Sequence, residues 1–250
     1  KETLRQTVFA TSKEEMPRSM MGVLFEFVPT GGRRDGGCRL NVVATDTHRL
    51  AYRTTDALPF GAPLDAKRSV IVPAKPLGEL MRVLSDSEEE TVRMHITESQ
   101  VQFTLAKPDM GTSITMISRV LDGQFPNYEK VIPRDAERKI TCDARELAAA
   151  LRRVAIVARE NAERAMFRMQ GDVVIITAES REVGKAHEEV PISMEGPDIE
   201  IAFNVRYLIE ALSAIDSETV TLELTQPLLP GVLKAADRED WLYVVMPMAI

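Results

Sequence analysis

The sequence predicts an α+β fold built from two copies of one domain, each with two helices packed on antiparallel β-sheets. Three observations predict it. The first is an internal repeat that restarts around residue 135: Leu4-Arg5-Gln6-Thr7-Val8-Phe9-Ala10 returns as Leu151-Arg152-Arg153-Val154-Ala155-Ile156-Val157. The run Val70-Ile71-Val72-Pro73-Ala74-Lys75-Pro76-Leu77-Gly78-Glu79-Leu80-Met81 returns as Ile201-Ala202-Phe203-Asn204-Val205-Arg206-Tyr207-Leu208-Ile209-Glu210-Ala211-Leu212, and Glu90-Thr91-Val92-Arg93-Met94-His95-Ile96 as Glu218-Thr219-Val220-Thr221-Leu222-Glu223-Leu224. Units this long are domains rather than the short repeats of a solenoid. The second observation is helical periodicity in two segments of the second copy, which the repeat matches in the first, and the third is apolar alternation in the strand segments.

In chain order, the first copy runs over 1–133 and the second over 138–250, joined by the polar, proline-containing linker Pro133-Arg134-Asp135-Ala136-Glu137-Arg138. Each copy reads helix, strands, second helix, strands. Two helices and about eight short strands per copy place helices on one face of sheets. In the first copy, Val92, Met94 and Ile96 share one side of a strand, as do Val101, Phe103 and Leu105 in the next. In the second copy, Asp143 is placed to cap a helix, with Glu146 at the capping-box spacing. Leu147, Leu151, Val154, Ala155 and Ala158 then form one apolar face, while Arg145, Arg152, Arg153 and Arg159 lie off it. Asn204 is the cap of the second helix, which buries Leu208, Leu212 and Ile215. Trp241, Tyr243 and Val245 alternate near the C-terminus.

Composition narrows the function classes. At 250 residues and 44% hydrophobic content the chain forms ordinary globular cores. No apolar run reaches the ~18 residues of a membrane helix, and no signal peptide opens it. Cys38 and Cys142 offer neither a metal spacing nor a disulfide framework, so a reducing, cytoplasmic setting is expected. A net charge of −7 argues against a surface that binds nucleic acid everywhere, but permits a local basic face. The second copy carries Lys139-Ile140-Thr141-Cys142 and two further helical turns before Leu151, whereas only Lys1-Glu2-Thr3 precede Leu4. The expectation is therefore a fragment trimmed at its N-terminus.

Three stretches carry a resemblance. Val43-Ala44-Thr45-Asp46-Thr47-His48-Arg49-Leu50-Ala51, Leu121-Asp122-Gly123-Gln124-Phe125-Pro126-Asn127-Tyr128 and the terminal Tyr243-Val244-Val245-Met246-Pro247-Met248 resemble, in order and spacing, the bacterial DNA sliding clamp, the beta subunit of DNA polymerase III. The resemblance covers the whole chain and corresponds to that family's second and third domains. It implies a processivity factor: a homodimeric ring around duplex DNA that tethers polymerase subunits, the clamp loader and repair proteins. This chain, lacking the first domain, is expected not to close the ring. The sequence departs from the family pattern at Thr47, where glycine is usual, and at Ala249, where a basic residue is common.

The resemblance further implies a groove between the two domains for short peptides rich in Gln, Leu and Phe. By matching position its lining comprises Met20, Thr45, Thr47, His48, Arg49, Leu50, Pro126, Lys130 and Val131 from the first copy, and Asn204, Tyr207, Pro230, Val244, Val245, Met246, Pro247 and Met248 from the second. The residues themselves agree with such a role. Pro247 lacks a ladder donor and so ends a strand. Flexible methionines suit a surface that repacks around different partners.

The basic helical residues Arg5, Lys75, Arg82, Arg152, Arg153 and Arg206 are candidates to face DNA, because Lys75 matches Arg206 and Arg5 matches Arg152 across the repeat. Such contacts go to phosphate and are indifferent to sequence. Ile156 and Val157 match the family's ring interface, with core packing the alternative. Thr45, Asp46, His48 and Arg49 contain the parts of a nucleophilic triad. On one extended segment their side chains would alternate faces and not converge, so no catalytic residue is assigned. No phosphate loop or metal-ligand spacing is present, and no cofactor is expected.

Overall fold

The computed structural model describes residues 1–14, 17–30, 37–60, 64–86, 91–107 and 111–249. The repeat's Glu90 and the terminal Ile250 lie outside the described residues. The chain divides into two compact units: Lys1–Thr47 with Ala51–Pro126, and His48–Leu50 with Asn127–Ile250. The short segment His48–Leu50 thus leaves the sequence neighbourhood of the first unit and packs in the second.

The first unit opens with helix α1 (Glu2–Arg5). The repeat predicts a helix continuing to Ala10, but the chain breaks at Thr7 (φ −129°, ψ −45°) and resumes as a 3-10 turn over Val8–Ala10. The Thr7 hydroxyl donates to the Thr3 carbonyl at 2.8 Å. Such back-bonding from a β-branched residue competes with helix continuation. After a 3-10 turn at Arg18–Met21 come strands β1 (Gly22–Pro29), β2 (Cys38–Thr45), β3 (Arg49–Ala57) and β4 (Arg68–Pro73), then helix α2 (Ala74–Val83) and strands β5 (Val92–Ile96), β6 (Gln100–Lys107) and β7 (Thr112–Arg119).

In this unit the sheet order is β3-β2-β1-β4, with β1 antiparallel to β2 (Leu24 opposite Val43) and to β4 (Val23 opposite Val72). Val23, Val42, Val72 and Leu77 are fully enclosed. The other sheet, β5-β6-β7, buries Val101, Phe103 and Leu105 as the alternation predicts, and Phe103 meets Phe25 of β1 with ring centroids 6.4 Å apart. On β5 the alternation is weaker in effect: Val92 and Met94 are half-buried and Ile96 is exposed. Among the described residues β5 is an edge strand.

The second unit contains a 3-10 turn at Tyr128–Lys130, then β8 (Arg138–Asp143), α3 (Ala144–Ala158), β9 (Arg164–Gln170), β10 (Val173–Ser180), β11 (Gly184–Pro191), β12 (Ser193–Glu195), β13 (Ile199–Asn204), α4 (Val205–Ala214), β14 (Thr219–Leu224), β15 (Gly231–Ala235) and β16 (Trp241–Val245). The strands form two antiparallel groups, β12-β8-β14-β15-β16 and β11-β10-β9-β13. The end of the linker is tied in: the Glu137 amide donates to the Leu224 carbonyl (3.0 Å), and Arg138 Nε to the Pro197 carbonyl (2.9 Å).

Both helices of this unit start where the sequence says. One Asp143 carboxylate oxygen accepts from the Arg145 and Glu146 amides, each at 2.8 Å. The Asn204 side-chain carbonyl accepts from Arg206 (3.0 Å) and Tyr207 (3.3 Å). Each cap satisfies amides that the helix leaves without partners. The apolar face of α3 buries Leu147, Leu151, Val154 and Ala158, with Ala155 at its margin. Helix α4 buries Leu208 and Leu212, while Ile215 sits past its end and is half-buried. Phe167 and Phe203 meet edge to face at 5.6 Å, and Trp241 and Tyr243 stack with centroids 6.3 Å apart. Burying an aliphatic or aromatic side chain this completely contributes roughly 1.5–3 kcal/mol.

Candidate functional site

The site grows from the junction of β2 and β3. Strand β2 ends at Thr45 and β3 begins at Arg49, so Asp46, Thr47 and His48 form a tight turn rather than an extended segment. Thr47 has φ 76°, in the left-handed region where a β-branched residue is strained. Its amide donates to Thr45 Oγ1 at 3.4 Å. This reversal aims the next three residues, His48–Leu50, into the second unit.

There they meet the C-terminal segment. The Met246 amide donates to the His48 carbonyl at 2.8 Å. Pro247 has no amide to offer, and the Met248 amide donates to the Ala202 carbonyl at 2.8 Å, bridging to β13. The last residues of the chain therefore leave β16, cross at the proline and are held on both sides. Val244 and Val245 are almost fully buried, whereas Met246, Pro247 and Met248 stay half-exposed.

Side chains complete the arrangement. Arg49 is only 5% exposed. Its guanidinium lies over the Tyr207 ring, 4.3 Å from the centroid, and its Nη1 donates to Glu210 Oε2 in an ion pair. Arg206 Nε holds the other carboxylate oxygen at 3.1 Å. The His48 ring lies 25° from coplanar with Tyr207 at 6.4 Å. Tyr207 is fixed through its backbone, its amide on the Asn204 cap and its carbonyl accepting from the Tyr243 hydroxyl at 3.1 Å. Burial is the strongest single influence on Glu210 and opposes its ionisation. The hydrogen bond and charge of Arg49, with those of Arg206, outweigh it and hold the carboxyl below its usual range.

Of the groove residues expected from the sequence, His48, Arg49, Asn204, Tyr207 and Met246 are drawn together by these contacts. Leu50, Val244 and Val245 are buried in the second unit beneath them. Also in this unit, Lys130 and Val131 are exposed and Pro230 is half-buried just before β15. Met20, Thr45, Thr47 and Pro126 belong to the first unit: Met20 and Pro126 are half-buried, Thr45 is buried and Thr47 exposed. Glu210 was not singled out from the sequence. Two signals could have found it: its i+4 spacing from Arg206 and its repeat match to Glu79.

The basic candidates differ in their surroundings. Lys75 and Arg152 are exposed and Arg5 is half-buried. Arg82 is paired with Glu79 at 3.0 Å, Arg206 with Glu210, and Arg153 with Glu188 through two bonds of 2.7 and 2.6 Å. The hydrogen bond from Arg153, first among the influences on it, holds the Glu188 carboxyl below its ordinary value. Ile156 is 68% exposed and Val157 is packed in the core at 8%. Both cysteines are free and buried, and burial pushes the Cys142 thiol up to about 12. Among the described residues no group of three or more His, Cys, Asp or Glu could hold a metal ion, and no helix is long and apolar enough to cross a membrane.

A duplicated α+β domain, with two helices and antiparallel sheets in each copy, is the architecture of the DNA-clamp class. Residues 1–127 match the central domain of the DNA polymerase III beta subunit, and residues 129–249 match its C-terminal domain. The chain is 32% identical to the beta sliding clamp of Synechococcus elongatus over 252 residues, covering 100% of this chain and 63% of that protein. It is also 32% identical to the beta sliding clamp of Pseudomonas aeruginosa over 245 residues, covering 98% and 62%. A crystal structure of the Pseudomonas aeruginosa sliding clamp superposes with TM-score 0.87 at 32% identity, and the beta subunit from Thermotoga maritima with 0.84 at 26%; each covers 100% of this chain and 63% of the other. The chain belongs to the DNA polymerase III beta subunit family, the bacterial sliding clamps. It spans a little under two thirds of the length of these relatives.

Proposed function

We propose that this chain is the peptide-binding part of a DNA polymerase processivity factor, with residues 1–133 and 138–250 as its two clamp domains. In the whole protein, a homodimeric ring surrounds duplex DNA without reading its sequence. Polymerase subunits, the clamp loader and repair proteins are tethered through short Gln-, Leu- and Phe-containing motifs. The role is non-enzymatic, cytoplasmic and cofactor-free. The observation that carries it is the joining of His48–Leu50 to Met246–Met248 around Tyr207, at the positions where the sequence motifs fall. The half-exposed methionines and Pro247 supply apolar surface for Leu and Phe anchors, and the polar side chains of His48 and Asn204 supply a rim.

The test is a titration of a labelled peptide bearing Gln, Leu and Phe. The expected affinity is micromolar, about −8 kcal/mol. Met246→Ala with Met248→Ala, and removal of 246–250, should each weaken binding at least tenfold. Equal binding by all three proteins sinks the groove assignment.

A second reading, an interaction module that does not encircle DNA, is favoured by one observation. Among the basic candidates, Arg82, Arg153 and Arg206 are already engaged by carboxylates. Charge reversal at Lys75 and Arg152 in the full-length protein decides between the two. Loss of DNA-dependent polymerase stimulation supports the ring, and unchanged stimulation supports the module.

A further inference from the structure

Glu210 makes one of the contacts that hold His48–Leu50 in the second unit. A guanidinium is planar, and two perpendicular contacts are enough to fix it. Arg49 has both: the Glu210 carboxylate on its edge and the Tyr207 ring on its face. The carboxylate is itself oriented by Arg206, whose Nε takes Oε1 at 3.1 Å and leaves Oε2 for Arg49. Arg49 begins β3 directly after His48, whose carbonyl receives the Met246 amide. The orientation of Arg49 is therefore coupled, through one residue of backbone, to the position of the C-terminal segment.

We propose that Glu210 is a positioning residue for the peptide site: by holding Arg49 flat across Tyr207 it fixes the segment His48–Leu50 against Met246–Met248 and so shapes the rim that reads the peptide's polar groups. The proposal rests on the peptide-binding reading above. Glu210 acts through Arg49, and its own carboxylate is occupied by the two arginines. Without it, Arg49 would carry its charge at 5% exposure without this carboxylate. Losing one partner of a buried charge is costly, and relaxation of Arg49 would shift the segment His48–Leu50 with it.

The test compares wild type with Glu210→Gln, Arg49→Lys, the double variant and Glu79→Gln, the last at the matching position of the repeat. The probe is a fluorescein-labelled peptide with Gln, Leu and Phe anchors and no ionisable side chain. Glu210→Gln and Arg49→Lys should each raise Kd about tenfold, and the double variant little further, because both remove one coupled unit. Glu79→Gln should leave Kd unchanged. The charged groups facing Glu210 are Arg49 from β3 and Arg206 from α4. Its carboxyl is held low by them, so wild-type affinity should persist down to the ordinary carboxylate range and fall as Glu210 protonates below it. Glu210→Gln should lack that fall. In the free protein, the Arg49 Nε–Hε NMR signal should be displaced by the Tyr207 ring and lose this displacement in Glu210→Gln. Wild-type affinity and pH profile in Glu210→Gln, or an unaltered Arg49 signal, would overturn the proposal. A wild type that does not bind the peptide removes the groove reading instead, and the Arg49 signal then still decides whether Glu210 positions Arg49.

Discussion

Glu79 and Glu210 occupy one position of a duplicated sequence, on equivalent helices, six residues after the proline or asparagine that precedes each helix. Glu79 is 56% exposed and meets Arg82 one helical turn away. Glu210 is 29% exposed and meets Arg49, a residue 161 positions distant in sequence, together with its helical neighbour Arg206. The first is an ordinary solvated pair of the kind that contributes little to stability. The second joins α4 to the start of β3. What separates them is the arrival of His48–Leu50 from the other copy. Duplication supplied the glutamate twice, and one copy was drawn into a site by a partner outside the repeat unit.

The largest effect that would break this comparison is Arg49→Ala. It leaves Glu210 half-buried with a single arginine, and should lower the stability of the second unit by about 2 kcal/mol, less than for a fully buried pair. Trp241, the chain's single tryptophan, lies in that unit's core, and its fluorescence during urea unfolding reads the loss directly. Next comes Asn204→Ala, which removes the cap of α4 and should cost about 1 kcal/mol by the same measurement. The equivalent helix α2 starts after Pro73 without a side-chain cap, so no such loss is available there.

A smaller effect of opposite sign follows from Thr47. Thr47→Gly removes a strained φ of 76°. It should stabilise by about 0.5–1 kcal/mol, the relief of strain being partly offset by the freedom glycine adds to the unfolded chain. Arg82→Ala is the smallest change: removing the exposed partner of Glu79 should alter stability by less than about 0.5 kcal/mol in circular-dichroism melts.

The comparison also sharpens with pH. Glu210 has a depressed folded-state pKa, so its ion pairs add stability that is fully present above its unfolded value. The contribution is lost as pH falls through the lower folded value. Stability of the second unit, followed at Trp241 from about pH 6 to 3, should fall less steeply in Glu210→Gln than in wild type. Identical slopes would mean that Glu210 is no more strongly paired than a surface carboxylate.

The helices show how far the sequence could be read. In the second copy, Asp143, Glu146 and the Leu147-to-Ala158 stripe announce α3, and both cap and face are found in place. The matching run in the first copy was expected to be helical to Ala10, yet α1 stops at Arg5. Repeat similarity transfers a pattern, but Thr7 has no counterpart to its hydroxyl in Val154, and that hydroxyl bonds the chain locally instead. The turn at Asp46–His48 was also hidden, because threonine is an unusual residue for positive φ and gives no turn signal. Tyr207 and Met246 were legible through the resemblance, whereas the reason Arg49 lies against them was not.

By itself the sequence determined the duplication, the α+β class, the capped helices of the second copy and the alternating strands. These rest on short-range periodicity and on side chains that bond within three or four residues. Tertiary structure alone decided that His48–Leu50 belongs to the second unit and that Arg49, Tyr207 and Glu210 form one cluster. An ion pair across 161 residues leaves no period in the sequence, and exists only because two separate segments are folded to within reach of each other.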